Sequence, residues 1–508
     1  MTEEAPARAA PVSTPGEAGG ANGSRPSLPV ALAVAGLTLA ALGLGFLRLQ
    51  RRSFWQDEAF TWSTVDRGFP SLLKVIAHRE GYQILHSLLE WPTNRISSTV
   101  DGLRAPSALA FAATVAAVWL VGRRLFDERA GLLAALLFTL NGFALEYAQE
   151  ARGYMLATAL CAWSGAFLAA HVLAPRRWSR IGWIACGVLA IYAHGFAVLG
   201  VGAQVLSMWF LPAEKRRALH WIRDGLLIAL LAAPAIVAPV AQINSGEIGF
   251  ISKPGLNEIR GLAWSMSGRT VTAVPAIGLG IVVAFVVAAP LVRRNLHSDD
   301  AFRFALPTLW MAVPPFVLMA ISYAHPIWLE RYALWSVVGV IVLAAFGLTR
   351  VGGGRSLLTA VVVAAAIALS ARGVTKWYST PPNQDYHSAM SQLAPRLRPG
   401  DAIVFSPDEA RLPSEFYLRK SFPLRELTPV FPSPPWGEFK TGDEKIVSIS
   451  QSTVDRLLAH PTRRVWFVTC TQPAVNAARI NELLARYRVV SDREYGGPVE
   501  VLLLEPRE

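Results

Sequence analysis

Two adjacent carboxylates, Asp57 and Glu58, stand in "SFWQDEAFTW", Ser53 to Trp62, among Phe54, Trp55, Phe60 and Trp62 and directly after the first long apolar run of the chain. A carboxylate in such a place can accept a proton or hold a polar ligand, and ionisable groups beside a membrane are costly enough that function is the default hypothesis. Arg48, Arg51 and Arg52 precede the pair. They either snorkel to lipid headgroups or attract an anionic ligand close to Asp57. A second group is "EYAQEARGY". On a helix Glu146 and Glu150 lie four apart on one face with Gln149 and Arg152 beside them, which allows a carboxylate–guanidinium cluster or an ion pair capping a helix end. His194 in "IYAHGFAV" is a lone histidine in apolar surroundings, a setting that more often holds a structural residue than a ligand.

These residues need elements to carry them. The chain has 508 residues, 53% hydrophobic and 17% charged, with a mean hydropathy of +0.36. A soluble chain carries about a quarter charged residues, so most of this one is solvated by a bilayer. A span needs about 20 mostly apolar residues. On that rule eleven segments qualify, near 29–47, 104–122, 130–146, 154–173, 181–193, 195–212, 224–243, 272–292, 303–323, 332–349 and 356–372. The basic stretches "GRRLFDER", "PRRWSR", "EKRRALHWIR", "RRNLHSDD" and "TRVGGGR" occupy alternate connections, which predicts a cytoplasmic amino terminus and an extracytoplasmic carboxyl terminus. The polar residues then concentrate on the predicted outer side. Asp57, Glu58, His78, Glu80, Tyr82 and His86 lie in a large first loop, about 48–104, and are joined by Glu146, Tyr147, Gln149, Glu150, Arg152 and Tyr154, then by His194, and finally by His325, Glu330, Arg331 and Tyr332.

Residues 1–27 are rich in Ala, Pro, Gly and Ser and read as a disordered cytoplasmic tail; residues 28–375 form the transmembrane unit. From 376 to 508 the composition becomes that of a soluble α/β domain. "DYHSAMSQLAPRLR" and "VNAARINELLARYR" have helical periodicity, and "DAIVF", "KIVSIS", "RVWFVT" and "EVLLLE" read as strands. The net charge of +12 sits in short clusters between apolar runs and serves topology rather than nucleic acid. The three cysteines form no CxxC pair, and neither a phosphate-binding loop, an HExxH nor a G-x-S-x-G elbow is present. That pattern argues against an ATP-driven pump, a zinc protease and a serine hydrolase.

The ordered set "SFWQDEAFTW", "GYQILHSLLEW", "GLRAPSALAF", "GRRLF", "EYAQEARGYML" and "LERYALWSVVGV" resembles the GT-C superfamily of membrane glycosyltransferases, nearest to the family 39 type that includes protein O-mannosyltransferases and the lipid A aminoarabinose transferase. The likeness covers roughly residues 30–350. It implies a mainly α polytopic fold of about eleven helices with an extracytoplasmic α/β domain. The implied enzyme works at the outer face of the cytoplasmic membrane and moves a monosaccharide, mannose by family frequency, from a polyprenyl-phosphate donor to an envelope protein, glycolipid or polysaccharide, with inversion. On this resemblance Asp57 is the general base and Glu58 orients it or contacts sugar or acceptor.

Transfer from a phosphodiester needs one base and cations for the leaving phosphate, because the leaving group is already good; glycosidases, by contrast, use two carboxylates. Arg51, Arg52, Arg152 and Arg331 are the candidate cations, and Glu150, Tyr154, His194 and Tyr332 complete the expected donor side. Trp55, His78, Glu80, Tyr82, Glu146 and Gln149 are expected toward the acceptor or the groove, where Trp55, Trp62, Tyr82 and Tyr154 stack on sugar faces, border the prenyl chain or form an interfacial belt. "AHREGYQILHSLL" lacks the proline-rich stretch that many relatives carry after the first-loop histidine. No cofactor is expected, and metal-independent transfer is favoured over use of a divalent ion. The alternative, a carrier or flippase of lipid-linked sugars, requires polar residues exposed to both sides of the membrane.

Overall fold

The computed structural model of the chain describes residues 26–242, 251, 253–440, 448–459, 463–470 and 474–507. The predicted amino-terminal tail lies almost wholly outside them. The first apolar run is helix α1 (Leu28–Phe46). The first loop is itself helical, with α2 (Gln56–Val65), α3 (Phe69–His78) and α4 (Ile84–Ile96). Then follow α5 (Val100–Leu125), α6 (Glu128–Thr139), α7 (Gly142–Ala148), α8 (Tyr154–Leu173), α9 (Arg177–Ala193) and α10 (Ala197–Ser207). Local chemistry sets several of these boundaries: the side chains of Thr99, Asp127 and Asn141 accept the amides of Gly102, Ala130 and Ala144, which otherwise have no helical partner. The central part of the chain supplies α11 (Ala213–Leu219), α12 (Trp221–Leu231), α13 (Ala233–Gln242), α14 (Leu256–Met266), α15 (Val274–Arg294), α16 (Asp299–Ala324), α17 (Ser336–Leu348) and α18 (Leu357–Ser379).

Among the described residues six helical segments are long and apolar enough to cross a membrane, or seven if α6 and α7, bent by 59°, make one span. The chain is a multi-pass membrane protein. The remaining predicted spans fall on shorter helices. Segment 181–193 lies within α9, 195–212 on α10, 224–243 on α12 and α13, and 332–349 on α17. Helix α17 is buried along its whole length, so its apolar character is met by protein rather than lipid.

The carboxyl-terminal region adds α19 (Tyr386–Leu393), β1 (Ala402–Phe405), α20 (Arg411–Ser421), β2 (Thr428–Phe431), α21 (Gln451–Ala459), β3 (Val465–Thr469), α22 (Ala474–Leu483), β4 (Tyr487–Glu494) and β5 (Glu500–Pro506). The sheet order is β2-β1-β3-β5-β4. Strand β1 is parallel to β2 and β3, while β5 runs antiparallel to β3 and β4. Central strands β1 and β3 are buried throughout, as strands covered on both faces must be. Of "KIVSIS", residues 445–447 lie outside the described residues and 448–450 form no strand. Strands β2 and β4 escaped the sequence reading because β4, "YRVVSDRE", is a largely exposed edge with no apolar alternation.

This domain does not hang free of the membrane unit. Phe54, Trp62, Leu72, Val100 and Leu103 share one apolar cluster with Leu412, Phe416 and Phe439. The Phe54 and Phe416 rings stack at 4.5 Å, and Lys440 pairs with Asp66 at 3.1 Å. The first-loop helices are therefore held between the bundle and the α/β domain.

Candidate active site

Helix α2 begins at Gln56, which puts Asp57 and Glu58 in its first turn, where carboxylates meet the positive end of the helix dipole. From there the two acids diverge. The Glu58 side chain turns inward and is fully buried. It takes Arg104 Nε at 2.7 Å and a second bond from the same guanidinium, the amide of Ala151 at 2.9 Å, and the amide of Trp55 at 3.4 Å in the manner of a capping box. Arg104 also donates to the carbonyls of Leu49, Arg52 and Ser53. Both Glu58 oxygens are thus engaged by protein, which puts the carboxylate in a fold-holding position directly behind Asp57. An arginine inside the apolar run "GLRAPSALAF" was the available signal for this pair, since such a charge needs a partner.

Asp57 turns the other way and is one-fifth exposed. Its Oδ2 lies 3.2 Å from Arg331, whose guanidinium sits 5.7 Å from the Trp55 ring, 5.9 Å from Tyr154 and 5.8 Å from Tyr332. The Asp57 carbonyl accepts from Arg152 at 3.2 Å, and Arg152 also donates to the Tyr82 hydroxyl at 2.9 Å. His194 is buried against Tyr82, Tyr154, Tyr332 and Trp335. Its Nδ1 accepts the Phe196 amide at 3.3 Å, and among the described residues Nε2 has no partner. Gly153 lets α8 come this close to His194: a Cβ there would stand 2.4 Å from the Ala193 carbonyl.

The helical cluster expected around Glu146 takes a different shape. Helix α7 stops at Ala148, and the Arg152 amide turns back to the Glu150 carbonyl at 2.9 Å, so Glu146 and Glu150 do not share a helix face. Glu146 instead faces Arg269 at 2.9 Å, and Arg269 also lies 3.9 Å from Glu330. Arg269 has φ +58°, a left-handed conformation uncommon outside glycine. It follows Gly268 at φ +84°, whose carbonyl would lie 2.7 Å from a Cβ on Gly142 and 2.4 Å from one on Gly373. Three glycines thus bring α7, α18 and the segment after α14 into backbone contact and aim Arg269 at the site. No sequence pattern announced Arg269.

Gln149 is a brace. Its Nε2 lies within hydrogen-bonding distance of the carbonyls of Leu44, Gly45 and Leu47, while its Oε1 accepts from Trp377 at 2.7 Å. Its amide joins the end of α1 to the end of α18. Arg52 stacks 3.8 Å over the Trp377 ring and donates to the Pro381 carbonyl. Arg51 is exposed on the other side of this turn, beside Arg48, Gln50 and Asp101, and His78 is exposed with its ring against the Lys74 carbonyl. Neither is brought to Asp57. Glu80 is buried and accepts from Gln83 at 2.8 Å.

Glu150 is buried, and among the described residues its Oε1 has no partner. Burial, reinforced by the Glu58 charge against the opposing pull of Arg331, pushes its carboxyl up to about 8. Burial thus favours the protonated carboxyl near neutrality. Unfolded, the group ionises near its ordinary 4.5, so between about 4.5 and 8 the folded chain holds the extra proton and loses stability as pH rises. Glu150→Gln removes this slope. Its melting temperature relative to the parent should climb from pH 5 to pH 8 in detergent, and parallel curves would contradict the assignment. Among the described residues no three His, Cys, Asp or Glu side chains converge as metal ligands.

No protein-family model and no curated protein sequence matches the chain. Solved structures do. ArnT from Cupriavidus metallidurans in the apo state aligns with a TM-score of 0.56 at 13% identity over 94% of this chain and 98% of that one. The same protein bound to undecaprenyl phosphate aligns at 0.55 and 14% identity over 93% and 97%. The Archaeoglobus fulgidus oligosaccharyltransferase AglB, in complex with an inhibitory peptide and a dolichol-phosphate, aligns at 0.50 and 11% identity over 87% and 69%. With TM-scores of 0.50 to 0.56 over 87% or more of this chain, the chain has the GT-C fold of these membrane glycosyltransferases.

Proposed function

We propose that this protein is a glycosyltransferase that uses a polyprenyl-phosphate sugar, mannose or a similar monosaccharide, and works at the outer face of the cytoplasmic membrane on an envelope acceptor. The observation that carries the reading is the Asp57–Arg331 pair: a partly exposed carboxylate beside a guanidinium with an aromatic wall. The neighbours' bound undecaprenyl phosphate and dolichol-phosphate supply the chemistry that such a site accommodates. The gathering of Asp57, Glu146, Glu150, Arg152, Arg269 and Arg331 into one region favours transfer over carriage through the membrane.

In this reading the acceptor hydroxyl gives its proton to Asp57 while its oxygen bonds to the anomeric carbon from the face opposite the phosphate. The bond from that carbon to the phosphate oxygen breaks, and the oxygen keeps the electron pair. Arg331 and Arg269 offset the charge on the departing phosphate. Arg331 serves two anions in turn, the Asp57 carboxylate before the donor arrives and the phosphate afterwards, so donor binding releases the base. Protonated Glu150 offers a hydrogen bond to a sugar oxygen.

Replacement Arg331→Ala should lower transfer from polyprenyl-phosphate mannose to membrane acceptor about 100-fold, the scale of losing one preorganised cation at developing charge. Arg331→Lys should recover part of that, having the charge without the planar fork. Undecaprenyl phosphate binding by the Ala variant should weaken in parallel. Parental transfer by Arg331→Ala would sink the proposed role.

A further inference from the structure

The first turn of α2 is capped from the C-terminal domain. The amide of Gln56 is one of the donors that a helix start leaves without an internal partner. Trp55, at the position before it, carries no side-chain acceptor and makes no such cap. Gln384 supplies it instead: its Oε1 accepts the Gln56 amide at 3.2 Å, and its Nε2 lies 3.4 Å from Gln56 Oε1. The Gln56 side chain also comes near Glu409, which follows β1 and is only 8% exposed, and pulls its carboxyl down against the rise that burial causes. Two more contacts flank these. Ser53 Oγ accepts the His387 amide at 3.0 Å, and the Phe54 amide donates to the Tyr417 hydroxyl at 2.6 Å. Residues 53, 54 and 56 are therefore fixed by the C-terminal domain, while Asp57 and Glu58 are fixed by the membrane unit through Arg152, Arg331 and Arg104.

We infer that Gln384 and Glu409 are positioning residues for the reacting carboxylate of Asp57, so that the C-terminal domain is part of the active site and not an appendage. The inference rests on the function proposed above. The two residues act through Gln56, the neighbour of Asp57, and a shift of that turn moves the base with it. Burial, with the charges of Asp408 and Asp57, pushes the Glu409 carboxyl up to about 7, and in either protonation state an oxygen remains as an acceptor toward the Gln56 side chain.

The test uses the full-length protein in detergent with polyprenyl-phosphate mannose as donor and host membranes as acceptor. Glu409→Ala and Gln384→Ala should lower kcat about 10-fold, because small displacements of a reacting group cost one to two orders of magnitude. The donor KM and the affinity for undecaprenyl phosphate should stay unchanged. Glu409→Gln, which keeps an oxygen for Gln56, should recover most of the rate. Lys440→Ala cuts another contact of the same interface, with Asp66, and should leave kcat at the parental value. Equal loss in Lys440→Ala, or parental kcat in both Ala variants, overturns the inference. Amide hydrogen exchange across residues 56–59, read without substrate, separates the two readings. Faster exchange in Gln384→Ala supports the cap even if the parent transfers no sugar, in which case only the donor assignment fails. Unchanged exchange overturns the cap whatever the enzyme transfers.

Discussion

Asp57→Asn is expected to lower transfer about 1,000-fold, the mid-range of what a positioned general base contributes. Asparagine matches the shape of aspartate, and the Asp57 contact with Arg152 is made by the backbone carbonyl, so the substitution leaves α2 in place. It removes the proton acceptor and the anion that faces Arg331. With that competitor gone, Arg331 is left to the phosphate. Undecaprenyl phosphate should then bind at least as tightly as to the parent while turnover collapses. This divergence distinguishes a base from a binding residue: a variant that loses affinity and rate together would place Asp57 on the donor instead. Asp57→Glu carries the carboxylate one methylene too far and should restore only a small part of the rate.

The largest effect on stability should come from the neighbouring acid. Arg104→Met leaves the Glu58 carboxylate, fully buried, with only backbone amides in place of a two-pronged guanidinium. Removing one member of a buried ion pair costs about 3–5 kcal/mol, because the survivor keeps its desolvation penalty without its partner. The carbonyls of Leu49, Arg52 and Ser53 lose a donor as well, and these residues form the turn that leads from α1 into Asp57. Thermal unfolding in detergent should show a marked drop in melting temperature. The double variant Glu58→Met with Arg104→Met should regain more than half of the loss, since two apolar side chains fill the space with no orphaned charge. A double variant no more stable than Arg104→Met would mean that the backbone contacts of Arg104, and not the ion pair, hold this turn.

Together these two expectations divide a dipeptide that looks uniform in sequence. Asp57 and Glu58 are adjacent, equally acidic and equally close to the first apolar run. Successive residues on a helix point about 100° apart, so one side chain reaches the cleft and the other the core. Which goes where depends on Arg104 and Ala151, which lie 46 and 93 residues downstream of Glu58.

Local chemistry made the membrane unit legible: long apolar runs, basic connections, and the polar residues gathered between them. It also exposed the two buried strands β1 and β3, whose unbroken apolar runs admit one reading. The short helices α9, α10, α12, α13 and α17 were harder, since a segment buried by protein and one solvated by lipid share a composition.

The sequence by itself determined that this is a polytopic membrane chain with an α/β domain at its carboxyl end and many of its polar residues concentrated in a few connections, because hydropathy and charge act segment by segment. Only the tertiary structure decided which groups meet. It set Asp57 against Arg331, consumed Glu58 and Gln149 in bracing, left Arg51 and His78 at the surface, introduced Arg269 through three touching glycines, and brought Gln384 and Glu409 to Gln56. Those pairings join residues separated by tens to hundreds of positions, and their energies depend on distance in space, which no local pattern encodes.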